Sequence, residues 1–407
     1  MSYSQILKRP TLTIQCDWDD FLRKVNGEVW VSSKYKDKQS NYGKLKCTNI
    51  VNGQPTISGS EGFVAEFVSR DIISVHHSDS DSKTVFIAPI KIFTDIHSKG
   101  ITSMDISSKG YSVSTCQDGK LHVWDFGKEE IKMALKGHVG EIYKCKFFPS
   151  GEVILSTGSD MQIKIWCALT GVCPVTLSGH VMAITDLAIV EKGRNIISVS
   201  KDGCAKLWDC GEGKCLADLL SVTSSINCCC IGDTPEFIKQ EQITSVEISE
   251  REIGTENKLL LIGCEDGTVH GVAVRNRSSL FTISLSSAVN TVTFLKDTFF
   301  VVGCQSGEII LRDIYVPKED IKIWFESNSA VLCLLAYKDS GFISSHADGS
   351  VIYRQLNNDN IRIALTGPNC DPVYEVTAYG PFIYTCSRDA VIRRYNLERA
   401  LKKVIIN

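Results

Sequence analysis

Tryptophans recur at 124, 166 and 208, an unbroken step of 42 residues. The same step carries Ser114, Ser156 and Ser198, and also Asp118, Asp160 and Asp202. His138 and His180 keep it, each preceded by a glycine, whereas His97 stands one residue off register and lacks the glycine. Seen once, as in SVSKDGCAKLWDCG (198–211) downstream of His180, these side chains suggest a hydrolase triad. A triad occurs once in a domain, and this constellation occurs three times. Its repetition gives it a structural role. A repeat of this length is one supersecondary unit that buries its apolar face only by stacking on its neighbours.

The unit 137–167, GHVGEIYKCKFFPSGEVILSTGSDMQIKIWC, shows the local pattern. Ile163 and Ile165 alternate with Gln162 and Lys164, the period of a pleated strand. Phe147-Phe148-Pro149-Ser150-Gly151 ends one strand and turns into the next. An aspartate in the following tight turn accepts hydrogen bonds from its own backbone neighbours. Gly-His near the start and Trp-Asp near the end are the WD40 signature, so each unit is expected to be a four-stranded blade of a β-propeller. In that pattern the indole N–H donates to serine, serine bonds histidine, and histidine bonds aspartate. A buried indole needs an acceptor, and each such bond contributes roughly 0.5–1.5 kcal/mol net. The expected sets are His138, Ser156, Asp160, Trp166; His180, Ser198, Asp202, Trp208; and the looser His97, Ser114, Asp118, Trp124.

Weaker copies of the turn follow at Asp266, Ser306, Asp348 and Asp389, in steps of 64, 40, 42 and 41 residues from Asp202. Seven turns predict seven blades. The long step implies an acidic insertion at about 232–257; its stretch 233–256 holds seven acidic and two basic residues and reads as an exposed loop. IKIFTDIH (90–97) aligns with IKMALKGH (131–138), so it is expected as the outer strand of the blade around Asp389, closing the ring. The C-terminal LKKVIIN is the competitor for that place. Residues 1–85 lie outside the repeats. There CDWDDFLRKV (16–25) reads as a short amphipathic helix, and GEVWVSS, KLKCTNI and EGFVAEFV as strands. Trp18-Asp19 lacks the Asp-Gly turn of a repeat. HHSDSDSK (76–83) reads as a turn with solvated histidines. The predicted fold is all-β: a small N-terminal α+β domain at 1–85, then a seven-bladed WD40 propeller at 86–407.

Composition narrows the function. The formal net charge of −3 gives no basic footprint for nucleic acid. No stretch approaches the roughly 18 apolar residues of a membrane helix. The opening MSYSQILKRPTLTIQ lacks the apolar run of a secretory signal, so the 17 cysteines, without a C-x-x-C pair, are expected to be reduced small hydrophobes. Cys228, Cys229 and Cys230 are adjacent in an extended segment and point to opposite faces, poorly placed to share a metal. No phosphate loop or zinc spacing occurs. The chain is therefore expected to be no enzyme and to hold no cofactor or metal.

Several stretches are similar to one family: GRNIISVSKDGCAKLWDCG (193–211), REIGTENK (251–258), CDPVYEV (370–376), YTCSRDAVIRRY (384–395), and CDWDDFLRK with SEGF near the start. Together they resemble the family of proteasomal ATPase-associated factor 1 almost along the whole chain. The resemblance implies a monomeric cytoplasmic and nuclear partner of the C-terminal domains of proteasomal AAA ATPase subunits. It implies an assembly chaperone of the regulatory-particle base that restrains premature joining to the core particle. A related fungal chaperone likewise pairs an N-terminal domain with a propeller. The alternative is a WD40 adaptor for another complex, such as a ubiquitin-ligase substrate receptor. Those resemble W-D-x-[RK], whereas Phe126-Gly127 and Cys210-Gly211 follow Trp-Asp here. From the residues themselves, the loops and turns on one rim form the expected binding surface, with Glu141, Met182, Lys201, Glu265, Asp371, Tyr374 and Arg388 as candidates. A solvated or blade-packing role is the alternative for each.

Overall fold

The computed structural model describes residues 5–7, 10–34, 39–79, 83–235, 248–296, 298–325, 328–338 and 341–405. Their strands form eight sheets, seven of which contain one repeat each. The first strands of these seven are Ile101–Ile106, Ile142–Phe147, Ile184–Val190, Ile226–Asp233, Val289–Phe294, Val331–Tyr337 and Val373–Tyr379. Each adjoins the first strand of the next sheet, and the last adjoins the first, so the sheets surround a channel. They are numbered here as blades 1 to 7.

Two local features repeat around the ring. The residue after the turn Asp or Ser is left-handed in all seven turns: Gly119, Met161, Gly203, Gly267, Gly307, Gly349 and Ala390. Five are glycine because that conformation has no Cβ penalty there. The second feature is a β-bulge between the first and third residues of every inner strand, so that Thr102, Tyr143, Thr185, Asn227, Asn290, Leu332 and Tyr374 are the extra residues.

Lys91–Phe93 pairs antiparallel with Ile392–Asn396 as the outer strand of blade 7. The N-terminal strand therefore completes this sheet. LKKVI instead ends the helix Leu397–Ile405, which Asn396 caps by accepting the Arg399 backbone N–H at 2.9 Å. Leu397, Ala400 and Leu401 are buried, and Arg399 meets Asp71 at 3.1 Å, tying blade 7 to the N-terminal segment.

That segment is built into the ring more deeply than a boundary at 85 suggests. Lys83–Ile87 runs parallel to Arg362–Leu365 of blade 6, and Ile72–His77 and Phe63–Ser69 continue the sheet to seven strands. Gln5–Leu7 likewise lies parallel to Lys322–Phe325 of blade 5. A separate sheet, Thr11–Ile14, Glu28–Lys34, Asn41–Val51 and Gln54–Gly59, covers a shared core with Trp18, Phe63 and Phe86. The helix is one turn, Trp18–Phe21. Trp18 is fully buried and donates its indole N–H to Thr366 Oγ1 at 3.0 Å, so it fastens the segment to blade 6.

Two expectations need correction. His77 is buried, with Asn41 at 3.3 Å and the Glu61 carbonyl at 3.0 Å, because it ends a strand of the extended sheet; His76 is exposed. The insertion is not wholly exposed: residues 236–247 lie outside the described residues, but its returning end is anchored. Asn195 bonds the Arg251 carbonyl at 3.2 Å and the Ile253 N–H at 2.7 Å, and buried Glu252 meets Arg277 at 2.6 Å. Among the described residues there, Arg251 pairs with Asp209 of blade 3 and Glu252 with Arg277 of blade 4.

Candidate interaction face and channel mouth

The repeated hydrogen-bond sets frame this face. His138 Nδ1 lies 2.8 Å from Asp160, its Nε2 lies 2.7 Å from Ser156 Oγ, and Trp166 donates to the same hydroxyl at 2.8 Å. Around His180 the three distances to Asp202, Ser198 and Trp208 are again 2.8, 2.7 and 2.8 Å. Every hydrogen is used once if the indole donates to serine, serine to Nε2 and Nδ1–H to aspartate. The imidazoles are then neutral, and burial holds both pKa values below the ordinary histidine value against the opposing pull of the aspartates.

The first set is incomplete. His97 reaches Ser114 at 2.8 Å and Trp124 donates to Ser114 at 3.0 Å, but Asp118 bonds Cys116 and the Lys120 N–H instead. The spacing explains it: His97 is 17 residues before its serine, where the other two are 18. His97 Nδ1 is buried without a hydrogen-bond partner among the described residues, and its ring stacks on His122 at 4.7 Å. Burial first, then His122, lowers its pKa to about 3. Unfolded histidine titrates near 6.5, so this site favours folding fully above that pH and loses the contribution as pH falls toward 3. Between pH 7.5 and 5, wild type is expected to lose about 2 kcal/mol more stability than His97→Gln. Urea unfolding at the two pH values measures this, and parallel losses would contradict it.

Later blades replace the network. Blade 4 places Ile262 and Val272, both fully buried, where serine and tryptophan stand, leaving no polar group to satisfy. Blade 7 uses Tyr395, whose hydroxyl donates to the Thr366 carbonyl at 2.6 Å.

The complete sets also position exposed groups. Asp160 and Asp202 accept the backbone N–H of Val139 and Val181 at 3.2 and 3.0 Å. These two valines are 79% and 77% exposed, and Met182 beside them is 48% exposed. Val181 and Met182 give blade 3 an exposed apolar tip, and Val139 stands at the equivalent position of blade 2, each backbone held by the buried network beneath.

All seven sequence candidates lie on this face. In each blade the residue after the second strand bonds a carbonyl just before the first strand; Lys201, Glu265 and Arg388 hold that position in blades 3, 4 and 7. Arg388 and Asp371 form an ion pair at 3.0 Å, while Glu265 accepts from the neutral Asn227 amide at 2.7 Å and keeps its charge. Glu141 and Tyr374 border the channel, a cavity of about 610 Å³; Met182 is exposed beside Val181, and Lys201 lies beside the mouth.

Sequence reasoning missed Tyr143, over whose ring Lys201 sits at 5.9 Å, and the channel pair Lys144–Glu375 at 2.5 Å. Tyr143 stands 42 residues before Thr185, so the repeat register could have flagged it. Burial opposes the charge of Lys144, but Glu375 and then Asp186 outweigh it and hold the ammonium well above the ordinary lysine value. Cys228 and Cys229 are buried, and Cys229 donates its backbone N–H to Asp186 at 3.0 Å. No cluster of three or more His, Cys, Asp or Glu among the described residues could hold a metal.

The family model of the WD domain, G-beta repeat, matches residues 88–125, 129–167 and 171–209, the spans that carry the three Trp sets. The chain is 46% identical over 389 residues to Proteasomal ATPase-associated factor 1 of Gallus gallus, covering 95% of this chain and 98% of that one. The Homo sapiens protein of the same name is 44% identical over 391 residues, with the same coverage. Probable proteasomal ATPase-associated factor 1 of Dictyostelium discoideum is 31% identical, covering 95% and 96%. Similarity that runs through the N-terminal segment and the ring alike makes this chain a member of the proteasomal ATPase-associated factor 1 family of WD40-repeat proteins.

Proposed function

We propose that this protein is a non-catalytic partner of the proteasome in the cytoplasm and nucleus, monomeric when free. It engages the C-terminal domains of AAA ATPase subunits of the regulatory particle. By holding those domains it assists assembly of the base and delays its joining to the core particle. The observation that carries this reading is identity of 44–46% over 95% of the chain with relatives named for association with the proteasomal ATPase. The face supports it with the means to bind a protein domain: exposed apolar side chains fixed from below, beside rim charges of both signs. Apolar contact supplies affinity and the rim charges choose the partner.

The full chain, mixed in turn with the C-terminal domain of each proteasomal ATPase at micromolar concentration, is expected to co-elute with one or two of them. Val181→Asp with Met182→Glu should abolish that co-elution while leaving the unfolding midpoint in place. Failure of every domain to bind would overturn the proposal.

A further inference from the structure

We infer that the channel mouth between Tyr143 and Tyr374 is a socket for an arginine side chain carried by a protein partner. The inference deepens the reading above and rests on it only for the identity of that partner.

The seven bulged residues form a ring at the mouth, and most of them have a common task. Thr102 and Thr185 donate to the carbonyls of Ile142 and Ile226 at 2.7 and 2.8 Å, and Asn227 and Asn290 to those of Val289 and Val331 at 3.0 Å each. In each case a short polar side chain clamps its blade to the next. At two positions, on either side of Thr102, the clamp is replaced by tyrosine. A phenol ring is too long for that bond, and both rings border the cavity instead.

Glu141 lines the same mouth, and both tyrosines lie within its electrostatic reach. Burial raises its carboxyl above the ordinary value, with Lys201 opposing the rise. A carboxylate that has lost water beside two aromatic faces attracts a cation. The protein's own Lys201 already sits over Tyr143 at 5.9 Å, on an exposed flexible stem. It marks the position a cation takes. A guanidinium can both stack on a phenol and bond a carboxylate through two N–H groups, which an ammonium cannot, so an incoming arginine displaces it. An anion finds no welcome below the mouth: Lys144 is held by Glu375 at 2.5 Å, and Lys146 donates to the Leu187 carbonyl at 2.7 Å.

The test uses the full chain labelled with 3-fluorotyrosine and the peptide acetyl-Gly-Arg-Gly-amide, with the citrulline peptide as a neutral isostere. Fluorine resonances are assigned with Tyr143→Phe and Tyr374→Phe. Saturable shifts of those two resonances are expected at roughly millimolar peptide, weakened about tenfold or more by citrulline or by Glu141→Gln. Lys201→Ala should tighten binding, because the competing cation is gone. No saturable shift, equal response to citrulline, or weaker binding by Lys201→Ala would each overturn the socket. Peptide binding in a chain that captures no ATPase domain would keep the socket and reject the proposed function. Capture without peptide binding would do the reverse.

Discussion

Ser198→Ala is expected to lower the unfolding free energy by about 2–5 kcal/mol, far more than the removal of one oxygen suggests. That oxygen accepts from Trp208 at 2.8 Å and lies 2.7 Å from His180 Nε2, and the three residues are 0%, 1% and 6% exposed. Alanine leaves an indole N–H and an imidazole nitrogen buried without partners, and each orphaned group costs roughly 1–3 kcal/mol. Ser114→Ala should cost less, since no aspartate orients its histidine and its indole bond is longer, 3.0 against 2.8 Å, so the network it removes is weaker. Denaturant unfolding of the two variants at pH 7.5 measures the difference. A larger loss for Ser114→Ala, or near-neutral Ser198→Ala, would show that the networks do not govern stability. The second outcome would also return SVSKDGCAKLWDCG to the list of possible chemical sites.

Glu375→Leu is expected to cost about 3 kcal/mol, the lower end for breaking a buried pair, because the two side chains keep 20% and 12% exposure. The variant strands the Lys144 ammonium in the channel. Adding Lys144→Met should restore most of the loss, since two apolar groups can replace a buried pair at little cost. The pair joins blade 2 to blade 7, and Ser103 of blade 1 donates to the same carboxylate at 3.1 Å. Loosening should therefore concentrate where the ring closes, and amide hydrogen exchange should rise first at Lys91–Phe93 and Ile392–Asn396. Uniform exchange across all blades, or no rescue by Lys144→Met, would contradict this account.

The features legible in the sequence were those with a chemical requirement at a fixed position. Trp-Asp, Gly-His and Asp-Gly at constant spacing located two complete sets and the turns, because an indole needs an acceptor and a left-handed turn residue favours glycine. Asp118 shows the limit: the residue type was right, and a connection one residue shorter kept it from His97. The bulges were illegible. Thr, Tyr, Asn and Leu all occupy that position, so no single residue type marks the bulge in the sequence. The role of Trp18 was hidden because its partner, Thr366, is 348 residues away. The burial of His77 and the anchoring of Arg251 likewise depend on distant strands.

The closing strand has a consequence for synthesis. Phe93 pairs with Ile392, about 300 residues later, so at roughly 5–20 residues per second the nascent chain waits about 15–60 s for its partner. Lys91–Phe93 presents an unpaired strand edge throughout that interval, and the free side of Lys83–Ile87 does so until residues 363–365 emerge. Completion is a single late event that zips residues 91–93 onto 392–394, and a ribosome that stalls before residue 392 releases an open arc instead of a ring.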